Sequence, residues 1–319
     1  MKLLRLAPEN TKFGFMRFRR VSYPLSATLS IIAVVMFLFV GMNYGIDFAG
    51  GTQIDMRAKS GEAHLAEIRS KADSLGLGAV EVQRLGAESD VLLRINVQSG
   101  GDAGEQSAIA KLRDAFSNDY EFRSVDSVGP TISAELVQSG TLGVVVAIIA
   151  VLAYLWFRFE WQFAVGAIIG TMHDLLLTVG FFCVTQLEFN QTSIAAILTI
   201  VGYSLNETVV VLDRIREVMR KYKRLSTAEI IDMSINAVLP RTIMTATTVF
   251  LALLALFFLG GHVIRSFSAA MIWGIFVATY SSIFICSPML IYMGVRADVF
   301  DKPKDQDVDP TPSQRKVKA

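Results

Sequence analysis

The chain has 319 residues, of which 52% are hydrophobic and 18% charged, below the roughly 25% charged residues of soluble domains. Thirty lysines and arginines against 29 aspartates and glutamates leave a net charge of +1, so no bulk electrostatic case for a nucleic-acid partner exists. This composition belongs to a membrane protein.

Residues 1–22 carry Lys2, Arg5, Lys12, Arg17, Arg19 and Arg20 and precede a first apolar run, Tyr23 to Met42. That run exceeds the apolar stretch of about 7 to 15 residues in a signal peptide, and no A-x-A-like site follows it, so it reads as a retained anchor. Residues 43–139 are polar and numerous enough for a small domain. Within them TQIDMRA, VEVQRLG, VLLRINV and YEFRSVDSVG read as strands, while GEAHLAEIRSKADSLG and EQSAIAKLRDAFSN have a helical period, with Leu65, Ile68 and Ala72 on one face of the former. The order β-α-β-β-α-β predicts a ferredoxin-like α+β domain, a fold that by itself identifies no function. Five more apolar runs, 140–156, 161–185, 191–212, 239–260 and 267–293, suit the roughly 17 to 25 residues that cross a hydrocarbon core. Between the fourth and fifth spans, residues 213–238 form a loop in which Ser226 and Glu229 fit a capping box opening an amphipathic helix, STAEIIDMSINAVL. Pro240 is then expected in the first turn of the fifth span. Residues 294–319 close the chain, and from Lys302 onward no apolar period exists, so disorder is expected there.

Six basic residues precede the first span, six lie between Arg214 and Arg224, and six occur from Arg296 onward. Six crossings put all three segments on one side, which the positive-inside rule makes the cytoplasm, with both termini there. The opposite loops are poor in positive charge: QLEF has none and GGHVIRS only Arg265. Cys183 and Cys286 fall within spans, which suits apolar packing and no disulfide framework. The three histidines are scattered, with no metal-site spacing.

Five ordered motifs carry a family resemblance. GIDFAGGT (Gly45–Thr52) follows the first span, SVGPTISAEL (Ser127–Leu136) leads into the second, and MHDLLLTVGFF (Met172–Phe182) lies in the third. VGYSLNETVVVLDRIRE (Val201–Glu217) lies in the fourth and RTIMTATT (Arg241–Thr248) opens the fifth. Over about residues 10–297 the chain resembles the SecF family, which is related to the resistance-nodulation-division (RND) transporters. The resemblance implies a six-helix RND-type transmembrane bundle with one ferredoxin-like periplasmic domain, set in the bacterial inner membrane. It further implies an accessory subunit of the Sec protein translocase that works with a SecD-like subunit and the SecYEG translocon on exported preproteins. YajC and YidC are further candidate partners. No cofactor is implied beyond protons as the coupling ion drawn from the proton motive force. The sequence departs from the family at Glu207, where N-D-T is usual and Asn206-Glu207-Thr208 stands here, and at Pro240, where a serine is usual.

Glu207 is the residue that physical chemistry singles out, because an ionisable group inside a span is expensive and marks function by default. Positions three and four apart put Thr199, Gly202, Tyr203, Asn206 and Glu207 on one small-and-polar strip, which is expected to face protein. Glu207 precedes Asp213 by six residues and so lies roughly 9 Å inside the cytoplasmic end of the span. Arg241, followed by Thr242, Thr245, Thr247 and Thr248, belongs to the same half of the bilayer and is the expected cationic partner. A Glu207–Arg241 pair is neutral when Glu207 is ionised and positive when it is protonated, so proton binding would change the preferred packing. The same pair read blandly is a static helix lock.

Asp174, beside His173 in the third span, is either a second proton site or a structural hydrogen-bond partner. Asn206, Thr245 and Thr248 are supporting polar groups, and Asp213, with Arg214 and Arg216, reads as an interface anchor more than a proton carrier. Gly166 and Gly170 form a GxxxG step for close packing. Gly45, Gly50 and Gly51 suit a tight turn beside the anchor, with Asp47 as a cap. An enzyme is a poor reading: there is no HExxH, and GYSL is no GxSxG elbow. A half-size RND-type exporter and a passive scaffold are the competing functions.

Overall fold

The computed structural model describes residues 11–295. The tail expected to be disordered, and basic residues such as Lys2 and Arg5, lie outside the described residues. A 3-10 turn at Phe15–Phe18 leads into α1 (Arg19–Phe39), and a short helix α2 (Ile46–Ala49) joins it to the outer domain. That domain runs β1 (Gly51–Ala58), α3 (Leu65–Asp73), β2 (Val80–Arg84), β3 (Asp90–Ile95), α4 (Gly101–Phe116) and β4 (Tyr120–Val128), in the expected order. Its strands lie β2-β3-β1-β4, every neighbouring pair antiparallel.

Alternation along the strands explains the domain's two layers. Ile54 and Met56 of β1, Val80 and Val82 of β2, and Val91, Leu93 and Ile95 of β3 point to one face. There they pack on Ile68 and Ala72 of α3 and on Ala108, Leu112 and Phe116 of α4. The intervening positions Gln53, Asp55, Arg57, Asp90 and Arg94 form a polar second face. Asp55, Asp90 and Arg123, the last beside the register shift between Asp55 and Met56, share a cavity of about 460 Å³ with Phe257, Phe258 and Arg265 from beneath. The polar face therefore looks down on the membrane helices.

The bundle continues with α5 (Pro130–Arg158), α6 (Trp161–Thr185), α7 (Gln191–Lys221), α8 (Thr227–Leu259) and α9 (Gly261–Ser281). A π-helical turn, Ser282–Cys286, then joins α9 to α10 (Ser287–Tyr292), and the three pieces make the sixth span. Among the described residues six helical stretches are long and apolar enough to cross a membrane. α6, α7 and the sixth span form the buried centre, whereas α1, α5 and α8 are peripheral and expose apolar side chains such as Ile31, Ile149 and Leu251.

Small residues set the inner spacing. A Cβ at Gly166 would lie 3.2 Å from the Cys286 carbonyl oxygen and one at Gly170 3.5 Å from Cys286 Cβ, so the GxxxG step packs directly on the π-helical turn. Cys183 and Cys286 are both free and buried.

Three boundaries differ most from expectation. α7 continues as helix to Lys221 rather than ending at Leu212, so the expected loop of residues 213–238 begins inside it. α5 starts at Pro130 rather than Gly140, because the polar turn after β4 already supplies a helix start with proline in its first turn. The amphipathic helix and the fifth span are one helix, α8, with Pro240 in its interior. The capping box does open it, with Ser226 N–H donating to Glu229 Oε2 at 2.9 Å and Glu229 N–H to Ser226 Oγ at 3.3 Å. Proline removes one backbone hydrogen bond, but Ile230, Ile231 and Ile235 pack with Leu212, Ile215 and Met219 of α7 and keep the helix in line.

Asp90 holds the polar sheet face together. It accepts from Arg57 at 2.5 and 2.8 Å and from Arg123 at 3.3 Å. The Arg57 hydrogen bonds hold its carboxyl below the usual range, with Arg123 adding to them. The unfolded chain, with a carboxyl pKa of about 3.9, therefore takes up the proton first. The stabilisation is complete above that value and lost as pH falls through the lower folded pKa. Thermal unfolding of the detergent-solubilised protein should show Asp90→Asn starting at a lower midpoint than wild type and losing less of it between pH 5 and pH 3, an interval chosen about the reference value.

Candidate functional site

Glu207 is buried, only 4% exposed, on the inner face of α7. Its Oε1 accepts a short hydrogen bond from the Thr242 hydroxyl of α8. The expected partner does not fill that place: Arg241 is exposed, and no ion pair to it occurs among the described residues. The reason is helical phase. Successive residues are about 100° apart, so with Thr242 turned to α7, Arg241 points away from it. Its own carbonyl accepts from Thr245 Oγ1 at 3.0 Å.

One turn before Glu207, Ser204 faces the same way and is completely buried. Its hydroxyl donates to Asp174 Oδ2 at 2.5 Å, and the Ser281 hydroxyl of α9 donates to the same oxygen at 2.8 Å. His173 Nδ1 lies 3.2 Å from Asp174 Oδ1, while its Nε2 is buried without a hydrogen-bond partner. Asp174 thus ties α6, α7 and α9 together at a point just before the π-helical turn, a helix irregularity frequent at functional sites. Among the described residues the membrane helices hold two buried carboxylates of different character: Asp174 clamped by hydroxyls from two other helices, Glu207 by one hydroxyl. The Tyr203 hydroxyl faces those of Thr245 and Thr279, and Thr208 Oγ1 is buried with no hydrogen-bond partner among the described residues.

The polar strip of α7 divides. Tyr203 and Glu207 turn inward, but Thr199, Gly202 and Asn206 are exposed. Gly202 and Asn206 line a groove of about 410 Å³ with Ala150, Val151 and Tyr154 of α5. On α8, Arg241 and Thr248 are exposed and Thr245 half-buried between them. Asp213 is not part of the Glu207 cluster. It pairs with Arg158 at the end of α5 at 2.5 Å and with Arg216 at 3.7 Å, while Arg216 reaches Glu160 at 2.7 Å. These pairs join α7 to the junction of α5 and α6. Ser204 and Ser281 have no place in the sequence reading, and Thr242 stands there only among the threonines that follow Arg241; the i, i+3 spacing of Ser204 and Glu207 is the available signal for the first of the two serines.

Residues 108–296 match the family model described as protein export membrane protein SecD/SecF, C-terminal, and residues 35–62 match the SecD/SecF GG motif. The chain is 44% identical to the protein translocase subunit SecF of Rickettsia bellii over 292 residues, 90% of this chain and 95% of that one. The chain belongs to the SecD/SecF family. It is also 44% identical to protein translocase subunit SecDF of Brucella abortus over 92% of its own length, spanning 39% of that longer protein. The crystal structure of SecDF from Thermus thermophilus, described as a translocon-associated membrane protein, superposes with a TM-score of 0.82 at 33% identity. It covers 91% of this chain and 40% of that one. A SecDF structure in a super-membrane-facing form gives 0.66 at 34% identity.

In this SecD/SecF chain the GG motif places Gly50 and Gly51 at φ of 72° and 110°, in the left-handed region that favours glycine. A Cβ on Gly51 would also run into the Ile95 carbonyl oxygen of β3. The pair therefore lets β1 enter the sheet immediately after α2, as a tight connection requires.

The Asp174 node is expected to be structural as well as electrostatic. Asp174→Ala leaves the Ser204 hydroxyl unpaired and the Ser281 hydroxyl with only the Ala278 carbonyl, and should cost about 1–3 kcal/mol, seen as a lower thermal midpoint in detergent, whereas Asp174→Asn retains an acceptor and should cost less than half as much.

Proposed function

We propose that the chain is a SecF-type subunit of the protein translocase of the bacterial inner membrane, with both termini cytoplasmic. It acts with a SecD-type partner and uses the proton motive force to promote late-stage translocation of preproteins into the periplasm. The observation that carries this reading is Glu207: a carboxylate 4% exposed inside a membrane helix and held by one threonine hydroxyl. Such a group is poised to exchange a proton, because the single contact leaves its remaining acceptor sites to whatever the cycle brings. Each proton crossing supplies about 2.3 kcal/mol per 100 mV.

The outward polar edge argues for the partner. An arginine facing hydrocarbon is costly, so Arg241, with the exposed Asn206 of α7, calls for acceptors from outside this chain. A SecD-type subunit packed on α7 and α8 would supply them, and a carboxylate opposite Arg241 is the natural complement. SecYEG would hold the exported chain, with YajC and YidC as accessory neighbours, and protons are the only coupling species the reading needs. The half-size RND exporter is disfavoured, since the relatives are translocase subunits.

Export into vesicles with an imposed proton gradient tests the reading. Glu207→Gln and Arg241→Ala should insert and co-purify with the partner yet lose the gradient-dependent part of export by at least about tenfold, and Glu207→Asp should keep most of it. Wild-type rates for Glu207→Gln would leave the protein a passive scaffold.

A further inference from the structure

The loop between α6 and α7, residues 186–190, is stitched to the outer domain and to the connection beneath it. Gly45 N–H donates to the Phe189 carbonyl at 2.9 Å and Phe189 N–H to the Asn43 carbonyl at 2.7 Å. Asn43 Nδ2 reaches the Gln186 carbonyl at 3.0 Å, and Gln186 Nε2 the Gly41 carbonyl at 3.1 Å. Asp47 Oδ2 accepts from Gln191 N–H at 2.9 Å, so the predicted cap serves the first turn of α7 rather than its own helix.

Across this seam lies an ion pair. Arg94 of β3 projects from the polar face of the sheet and places Nη2 3.1 Å from Glu188 Oε1, the two side chains being 9% and 10% exposed. Arg94 Nη1 also donates to the Tyr44 carbonyl at 3.1 Å, and Glu81, mostly exposed, lies 3.5 Å away. Burial pushes the Glu188 carboxyl up, while Arg94 pulls it back down. A nearly buried charge pair of this kind is weak as a source of net stability but costly to break from one side only.

Gly45 is part of the device. Its φ of −71° makes no demand for glycine, contrary to a tight-turn role. A Cβ there would instead strike the Glu188 side chain, with Cγ and Cδ both 3.2 Å away and Oε1 closer still. Gly45 is bare because Glu188 must lie across it to reach Arg94.

We propose that Arg94 and Glu188 are positioning residues that couple the outer domain to α7, so that movement of the domain is passed to the helix carrying Ser204 and Glu207. The chain of contacts is short and rigid: sheet strand, ion pair, a five-residue loop capped by Asn190, and α7 itself. The inference rests on the export role and adds to the proton reading without requiring it.

The test compares Arg94→Glu, Glu188→Arg, the double reversal and Gly45→Ala in the full chain with its SecD-type partner. Two readouts are taken: preprotein export with and without an imposed gradient, and the spin-label distance distribution between Lys111→Cys on α4 and Val184→Cys at the end of α6. Each single reversal should broaden the distance distribution and lower export by about tenfold, with the double reversal recovering to within about threefold of wild type. Gly45→Ala, which shifts the Glu188 side chain while keeping both charges, should give a smaller defect in the same direction as the single reversals.

Unchanged distances and export in Arg94→Glu, or a double reversal as defective as either single, would overturn the coupling role. Glu207→Gln in parallel separates the two ideas. If it exports normally, the proton reading fails while the distance distributions and total export still decide the latch.

Discussion

A charged or polar side chain inside a hydrocarbon slab must find its partners within protein, and that constraint shapes this bundle. Asp174 satisfies it by drawing in Ser204 and Ser281 from two other helices, and Glu207 by reaching Thr242 on α8. These contacts explain why α6, α7 and the sixth span form the centre: they carry the groups that lipid would not tolerate. The glycines at 166 and 170 then let the backbones close on the π-helical turn that follows Ser281.

α7 is the spine of the molecule. One end is capped by Asn190 and by Asp47 from the domain connection, its middle presents Ser204 and Glu207 inward and Gly202 and Asn206 outward, and towards the other end Asp213 and Arg216 stand in a chain of ion pairs with Arg158 and Glu160. One continuous helix therefore meets the connection to the sheet domain, the buried carboxylates, the open groove beside α5 and the charged junction of α5 and α6.

The peripheral helices make the complementary point. α5 and α8 expose not only apolar side chains, as lipid contact permits, but also Asn206 beside the α5 groove and Arg241 with Thr248 on α8. The Thr248 hydroxyl donates to the Met244 carbonyl of its own helix, whereas the Arg241 guanidinium has no ion-pair partner among the described residues. The chain spans 39% of a SecDF polypeptide and 95% of a SecF one.

The sequence by itself determined the six spans, the strand and helix order of the outer domain, the capping box at Ser226 and the singularity of Glu207. Each of these follows from local periodicity, hydropathy or a short-range hydrogen bond, which are encoded within a few turns of chain. Tertiary structure alone decided that Thr242 rather than Arg241 meets Glu207, that Pro240 lies inside a helix, that Gly45 makes room for Glu188, and that Ser281 binds Asp174 from 107 residues away. The physical reason is phase and distance: a side chain's partner depends on how two helices are rotated against each other, and that rotation is set by packing over the whole bundle rather than by the residues beside it.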